Sequence, residues 1–359
     1  MTSHHGHQSS FEGIIHFSSR LPLEENKRAR AKRKFYHIIN HFEATSTKGS
    51  INPSDEYNRP KLIRLIYEYA RSAESQDIFL QAFAQALELS MDHEDDVDFG
   101  SGQLEEPLGS ALYRFADHLF DHFFLPLRAS TKKTPQPSPA YHSAIQQAQG
   151  GGVQDFVGTP GRLSELRGDC LIRGRNRCVI SRRFDVTEAT RRIRRNRDDA
   201  ADDDGNKLGD ESHFEDLEHP LKKAALGILN MFDNGVIHLI EGDDIDRPRN
   251  ALTLTHNLHL LFGNFEVFFQ PLSDAEPHTY QIHSFLPPPI VRGLLPVTRT
   301  LFLTENRTIE PPSRRLLELH CAIAHILHLS AAGAYIDKLL DIWRRRAYRQ
   351  MGRPNWVAL

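Results

Sequence analysis

Residues 243–271 read DDIDRPRNALTLTHNLHLLFGNFEVFFQP, and this stretch decides the fold of the second half of the chain. Alternating apolar and polar residues over Leu252–Thr255 predict a short strand. Thr255 is then placed to cap a helix that carries His256 and His259. The aromatic run Phe265–Phe269 predicts a returning strand, because aromatic residues favour extended backbone. The stretch therefore predicts a strand, a helix and a second strand in succession.

A polar loop, Asp246–Asn250, precedes the first of these strands, and its Pro248 favours an extended backbone in the preceding residue. Asn250 lies nine residues before His259. We predict that this amide and this imidazole reach one pocket. An alternative is that Asn250 is a turn residue that stabilises the loop. His256, at i−3 from His259 on the predicted helix, is a candidate second ligand.

Length and composition set outer limits on the chain. At 359 residues the chain is long enough for about two domains, and 39% hydrophobic residues are compatible with a globular core. Its three cysteines and the lack of a secretory signal predict an intracellular protein, in the nucleus or the cytoplasm. No window approaches the ~18 apolar residues of a membrane span, so we expect no membrane partner.

Composition shifts along the chain predict its domain organisation. Apolar residues recur at helical spacing between residues 24 and 128, which predicts a helical amino-terminal domain. A stretch rich in Pro, Ser, Gln and Gly follows and is typical of a linker. The predicted division is a disordered tail at 1–23, the helical domain at 24–128, the linker at 129–154, a second domain at 155–346 and a tail at 347–359.

Charge is distributed unevenly in the second domain. Arg167–Arg197 contains eleven arginines and three acidic residues, whereas Asp198–Glu218 contains ten acidic residues and one lysine. Arginine suits bidentate contact with phosphate, so the first block fits nucleic-acid binding. The alternative is that the two blocks largely neutralise each other. The net charge of −3 does not decide between these interpretations.

Local patterns predict further elements of this domain. Cys170–Ser181 predicts a tight hairpin, and Thr187–Arg195 predicts a helix capped by Thr187. Thr279–His283 and Val297–Leu303 predict strands. The two prolines at 311 and 312 then precede a predicted pair of helices, at about 313–329 and 331–346.

From Arg173 to about Leu340 the chain resembles fungal proteins that contain an HNH nuclease domain. The matching segments are Cys178–Ser181, Ile228–Gly242, Asp244–Thr255, Asn257–Gly263, the two strand-like runs that follow, and the carboxy-terminal stretch Leu319–Leu340. The resemblance implies an α+β protein, in which a helical amino-terminal region precedes a ββα-metal domain with carboxy-terminal helices. It also implies DNA as a partner.

In HNH nucleases one histidine acts as general base, an asparagine orients it, and a helix histidine helps to hold one divalent cation. A phosphodiester is anionic and resists attack, so hydrolysis needs a base to generate hydroxide and a metal, Mg²⁺ or similar, to stabilise the transition state. The resemblance assigns the asparagine role to Asn250 and the metal-binding role to His259.

The segment that should contain the base differs from the family pattern. Members of the family have an Ala-His-Ile-(Ile/Leu)-Pro segment before the helix that begins Lys-Lys-Ala-Ala-Leu, whereas Glu218 here runs straight into His219. His219 is the candidate replacement, and His213 is a second one. The alternative is that both are ordinary loop histidines.

Three hypotheses follow. The chain is a metal-dependent DNA endonuclease in which His219 serves as base; or it is a catalytically inactive HNH module that binds nucleic acid or protein; or an error in the gene model removed a coding segment between Glu218 and His219. Genomic DNA at this junction would distinguish the third from the others.

Overall fold

The structure is a computed structural model, and it combines helices with small sheets. It describes residues 22–48, 56–91, 97–100, 104–131, 160–208, 214–215, 217–218, 227–240, 242–291 and 293–350. This mixed composition agrees with the predicted α+β class. In the described residues no single helix is long and apolar enough to cross a membrane, and only one bent pair of consecutive helices passes that test together.

The α-helices in this part of the chain are α1 (Glu25–Lys48), α2 (Arg59–Glu68), α3 (Ala73–Ala86), α4 (Glu105–Leu119), α5 (Leu125–Thr131), α6 (Pro160–Arg173), α7 (Val186–Asn196), α8 (His256–Gly263), α9 (Arg314–Leu329) and α10 (Ala332–Gln350). The strands are β1 (Phe184–Asp185), β2 (Phe214–Glu215), β3 (Leu217–Glu218), β4 (Leu254–Thr255), β5 (Val267–Pro271), β6 (Thr279–Ser284) and β7 (Val297–Thr300).

The chain forms two compact units. The first unit comprises 1–126, 225–235 and 326–359, and the second comprises 127–224 and 236–325. Both units are discontinuous in sequence, whereas the domains predicted from the sequence are continuous segments. The predicted domain boundaries stay a prediction.

The first unit is a helical bundle, and two of its helices, α2 and α3, begin at side-chain caps. Asn58 accepts a hydrogen bond from the Lys61 amide at 2.9 Å at the start of α2, and Ser72 accepts one from the Ser75 amide at 3.1 Å at the start of α3. These caps satisfy backbone donors that a helix leaves unpaired. The core is largely aromatic and aliphatic, and its fully buried members include Phe35, Ile38, Leu62, Phe79, Phe115 and Phe123.

In the predicted helical domain at 24–128, a turn of π-helix separates α4 from α5. α4 ends at Leu119, and Phe120–Phe124 form the π-helix before α5 begins. A π-turn inserts one extra residue per turn and so rotates the following side chains around the axis. The rotation leaves Phe120, Phe123 and Phe124 all buried.

α1 contains a basic block, Lys27–Lys34, and part of this block contributes to the packing of the first unit. Arg28 donates to both carboxylate oxygens of Asp77, at 2.6 and 2.7 Å, and Asp77 is 1% exposed. Lys34 is buried and donates to the Ser90 carbonyl at 3.2 Å. Two cations of the block are therefore held within the fold rather than presented to a partner.

In the second unit, the chain reverses later than predicted. The expected hairpin at Cys170–Ser181 is wrong, because the first four of these residues complete α6. Leu166, Cys170 and Arg173 are buried at helical spacing, and this face outweighs the turn tendency of the residues that follow. The reversal falls between Arg177 and Phe184, which form an antiparallel bridge.

The cap of α7 also differs from the prediction. Asp185, rather than Thr187, has extended backbone angles and accepts a hydrogen bond from the Glu188 amide at 2.8 Å. Both residue types are good caps, so the sequence alone does not choose between them. The tertiary position of β1 makes the choice, because Asp185 ends that strand.

The core of the second unit lies between α8 and a three-stranded antiparallel sheet. The sheet order is β5–β6–β7, and Phe269 pairs with Ile282 in its register. Val267, Phe269 and Ile282 are fully buried, and they pack in one apolar cluster with Leu254 and Leu258. The cluster fixes α8 and β4 against the sheet.

Tyr280 in β6 provides a stability test. The side chain is 1% exposed, its hydroxyl has no hydrogen-bond partner among the residues that the structure describes, and burial raises its pKa to about 12. Tyr280→Phe is expected to stabilise the chain by ~1 kcal/mol, because it removes a buried donor that gained no bond on folding. The urea midpoint of unfolding measures the change.

Tyr57→Phe is the matched control. The Tyr57 hydroxyl donates to Asp117 at 2.5 Å, so its removal is expected to destabilise by about 1.5–3 kcal/mol. A loss of stability in Tyr280→Phe as large as that in Tyr57→Phe would contradict the assignment of an unpaired hydroxyl at Tyr280.

Candidate functional site

A strand pair followed by a helix forms the framework of the candidate site. β3 and β4 pair in antiparallel register, with Leu217 opposite Thr255 and Glu218 opposite Leu254. α8 begins directly after β4 and contacts both strands. Thr255 is the residue before the helix, as predicted, but its side chain makes no capping hydrogen bond. The helix that carries the two histidines is thereby held against the strand pair.

Asn250 holds the loop that leads into β4. Its side-chain Nδ2 donates to the Leu239 carbonyl at 2.7 Å and to the Asp244 carbonyl at 2.6 Å. Its Oδ1 is buried and accepts no hydrogen bond in the described part of the chain. In the described residues the side-chain hydrogen bonds of Asn250 go to backbone carbonyls and not to His259. The amide thus fixes the loop with its nitrogen and keeps an acceptor unused. The loop-stabilising alternative explains the bonds of Nδ2 but not the unused Oδ1.

Arg173 fixes the same loop from the other side, a role that its place in an arginine-rich sequence did not reveal. The side chain is 3% exposed, and its guanidinium donates to the carbonyls of Pro248 at 2.7 Å, Ala251 at 2.7 Å and Glu310 at 2.8 Å. Burial lowers its pKa from the ordinary value. The two loop carbonyls flank Asn250, so Arg173 positions the backbone on both sides of the amide.

Charged side chains complete the attachment of the loop. Arg247 lies 3.2 Å from Asp244 and 3.0 Å from Glu310, and Arg249 lies 3.1 Å from Asp244. The Ser313 amide donates to the Arg249 carbonyl at 2.8 Å. Hydrogen bonds and ion pairs therefore connect residues 244–251 to the segment before α9. The loop is held rigidly although it lacks a strand of its own.

The histidines of α8 differ in exposure. His259 is half-buried and His256 is exposed. Leu258 and Phe262 bury the opposite face of the helix. These buried side chains orient α8, so that His259 lies at the margin of the core and His256 lies in solvent. His219 and His213 lie outside the described residues.

Residues 178–270 match the HNH endonuclease family. The match includes Asn250, β4 and α8, and it supports an HNH nuclease domain in this part of the chain. A search of curated proteins and a search of solved structures each found no match. We refer to residues 178–270 as the HNH segment.

HNH nucleases generally use a divalent metal, so the donor set of the HNH segment matters. The described residues contain no cluster of three or more His, Cys, Asp or Glu side chains that could hold a metal ion. The single imidazole of His259 is compatible with a hydrated divalent ion, because such ions keep several waters and take few protein ligands.

Asn250→Asp tests how the amide works. A carboxylate of the same shape cannot donate to the Leu239 and Asp244 carbonyls, so the substitution is expected to destabilise the chain by about 2–3 kcal/mol. Urea unfolding measures this effect. Asn257→Asp is the matched control, because Asn257 is exposed in the first turn of α8, and it is expected to change stability by less than ~0.5 kcal/mol. Equal stability of Asn250→Asp and wild type would contradict the loop-holding role.

Proposed function

We propose that the chain is an HNH-type endonuclease that hydrolyses DNA phosphodiester bonds with the help of one divalent cation. The observation that carries this proposal is the antiparallel pair β3–β4 with α8 packed on it, inside the segment that matches the HNH endonuclease family. Such a strand pair and helix would present the helix histidine and the loop asparagine at one edge. The proposed ββα-metal arrangement assigns the cation to His259.

The proposal gives His259, Asn250 and His219 separate roles in hydrolysis. His259, half-buried on α8, binds the cation, which supplies charge stabilisation at the scissile phosphate and the leaving oxygen. Asn250 holds the loop through its Nδ2, and its unused Oδ1 accepts the ring N–H of the general base. That bond selects the tautomer whose other ring nitrogen takes a proton from water. His219 follows β3 in the sequence and is the candidate base.

Plasmid nicking tests the proposal. Full-length protein is expected to convert supercoiled DNA to the nicked form with Mg²⁺ or Mn²⁺, and excess EDTA is expected to stop the reaction. Absence of nicking with every divalent ion would reject the nuclease function. DNA binding without nicking would instead favour the inactive HNH module.

His219→Ala tests the base separately. If His219 serves as base, its loss lowers the nicking rate by ~100-fold or more, with DNA affinity unchanged. Retention of the wild-type rate would exclude His219. His213→Ala is then the next variant to measure.

A further inference from the structure

The arginine-rich block is neutralised only in part. Arg175 pairs with Asp204 at 2.5 Å, and Arg177 pairs with Asp202. In α7, Arg191 pairs with Glu188 at 2.8 Å. Arg192 in the same helix pairs with Glu188 and Asp203. For Arg175, Arg177 and Arg192 the predicted neutralisation by the acidic block is confirmed, whereas the partner of Arg191 lies within the arginine-rich block itself.

Two other guanidinium groups of the second unit contact carbonyl oxygens instead. Arg182 Nη2 donates to the Thr300 carbonyl at 2.5 Å. Arg299 Nε donates to the Ile180 carbonyl at 2.8 Å, and its Nη1 donates to the Thr298 carbonyl at 3.2 Å. Neither forms an ion pair with a carboxylate in the described residues. Carbonyl oxygens orient a guanidinium but do not cancel its charge, so this pair keeps two positive charges.

Arg182 also keeps an unused donor. Its Nη1 is buried and has no hydrogen-bond partner in the described part of the chain. Buried N–H groups without a partner are rare, and each one calls for an explanation. Burial, followed by the nearby charge of Arg299, lowers the pKa of Arg182 to about 10. An oxyanion between the two groups would satisfy the donor and remove the repulsion.

Phe302 holds the Arg182 guanidinium in a fixed plane. The Arg182 Cζ lies 4.0 Å from the centroid of the Phe302 ring, and the Arg175 Cζ lies 4.9 Å from the same centroid. Stacking on an aromatic ring restricts the guanidinium without using its N–H donors. A guanidinium with an unused Nη1 donor and a fixed position suits an oxygen of a phosphate group.

We infer that Arg182, Arg299 and Phe302 form a phosphate-binding site for the backbone of a nucleic acid. The inference rests on the proposed function, because DNA as the source of the phosphate comes from it. The location fits a nuclease: the Val179 amide donates to the Thr253 carbonyl at 2.9 Å, so the turn that carries Arg182 is attached beside β4. The site would hold DNA next to the cleavage site without taking part in cleavage.

Salt-dependent DNA binding tests this inference. Full-length protein is titrated against a short fluorescein-labelled DNA duplex in EDTA, where cleavage cannot occur, between about 50 and 200 mM KCl. Arg182→Gln and Arg299→Gln are each expected to reduce the slope of log affinity against log salt by about one, which is the contribution of one phosphate contact. Arg182→Lys keeps the charge and is expected to restore the slope.

Arg191→Gln is the matched control, because Arg191 lies in the same arginine-rich block as Arg182 and is paired with Glu188. Its slope is expected to equal that of wild type. Far-UV circular dichroism checks that each variant is folded. Wild-type slopes in folded Arg182→Gln and Arg299→Gln would overturn the inference, as would an equal reduction in Arg191→Gln.

Two further outcomes also overturn the inference. In the first, inorganic phosphate at constant ionic strength stabilises wild type but not Arg182→Gln, and the two proteins have equal salt slopes for DNA binding. The ligand of the site is then a free phosphate. The second is absence of DNA binding by wild type in EDTA. Nicking in Mg²⁺ is measured separately, so failure of this site and failure of the nuclease function remain distinguishable.

Discussion

Replacing His259 by alanine is expected to lower the rate of DNA nicking by ~100-fold or more, measured at the divalent ion concentration used for wild type. The proposed function gives His259 the cation, and an alanine offers no donor atom. The helix should survive, because Leu258 and Phe262 bury its other face. Nicking rates measured over a range of Mn²⁺ concentrations test this prediction. Partial recovery at high Mn²⁺ would identify weakened metal binding as the cause.

His256→Ala is the control for His259→Ala. His256 lies at i−3 from His259 on the same helix and is exposed. The variant therefore tests whether the loss of any histidine of α8 lowers the nicking rate. Its rate is expected to stay within about threefold of wild type, because an exposed side chain outside the family motif makes a small contribution. An equal loss in both variants would contradict the assignment of the metal to His259. A wild-type rate in His259→Ala would contradict it as well.

Arg173→Met is expected to destabilise the chain by about 3–5 kcal/mol. The methionine side chain is of similar length but cannot donate, so the carbonyls of Ala251 and Glu310 lose their guanidinium donor, and that of Pro248 keeps only the Ala251 amide at 3.2 Å. Each buried acceptor left unpaired costs about 1–3 kcal/mol, and partial relaxation of the loop reduces the sum. Urea unfolding followed by circular dichroism measures the loss. Hydrogen exchange of the Ala251 amide is expected to accelerate as well.

Two variants make the Arg173 prediction specific. Arg173→Lys keeps the charge but replaces three fixed donor directions by a point charge, so its stability is expected to fall between wild type and Arg173→Met. Arg167→Met changes an exposed arginine on the same helix and is expected to cost less than ~0.5 kcal/mol. If Arg173→Met were as stable as Arg167→Met, the carbonyl contacts would not hold the loop.

The sequence predicts the elements of the second unit that have a regular period or a strong cap. The helix with His256 and His259, the strands near 267, 279 and 297, and the two carboxy-terminal helices all occur within a few residues of their predicted positions. In each, local preference and burial act in the same direction. The catalytic role proposed for the loop asparagine comes from the resemblance to HNH proteins, because an isolated Asn in a polar loop has no periodicity.

Features that depend on distant residues were not predictable in this way. Arg173 is 75 residues from Pro248 and 137 from Glu310, and nothing local marks it as different from its arginine neighbours. β3 is two residues long and exists only because β4 pairs with it. Arg182 and Arg299 are likewise brought together by the sheet. Long-range partners therefore decide which arginines are structural, which are neutralised and which keep their charge.

The register of β5 has a consequence for dissecting this protein into fragments. All five residues of β5 pair with β6, which lies beyond the last residue of the HNH segment, and Arg173 lies before its first. A fragment cut at 178 and 270 would expose one edge of β5, with Val267 and Phe269 uncovered, and would leave the Asn250 loop without its guanidinium. The HNH segment is thus smaller than the stretch that can fold, and a self-sufficient fragment must begin before α6 and extend past β7.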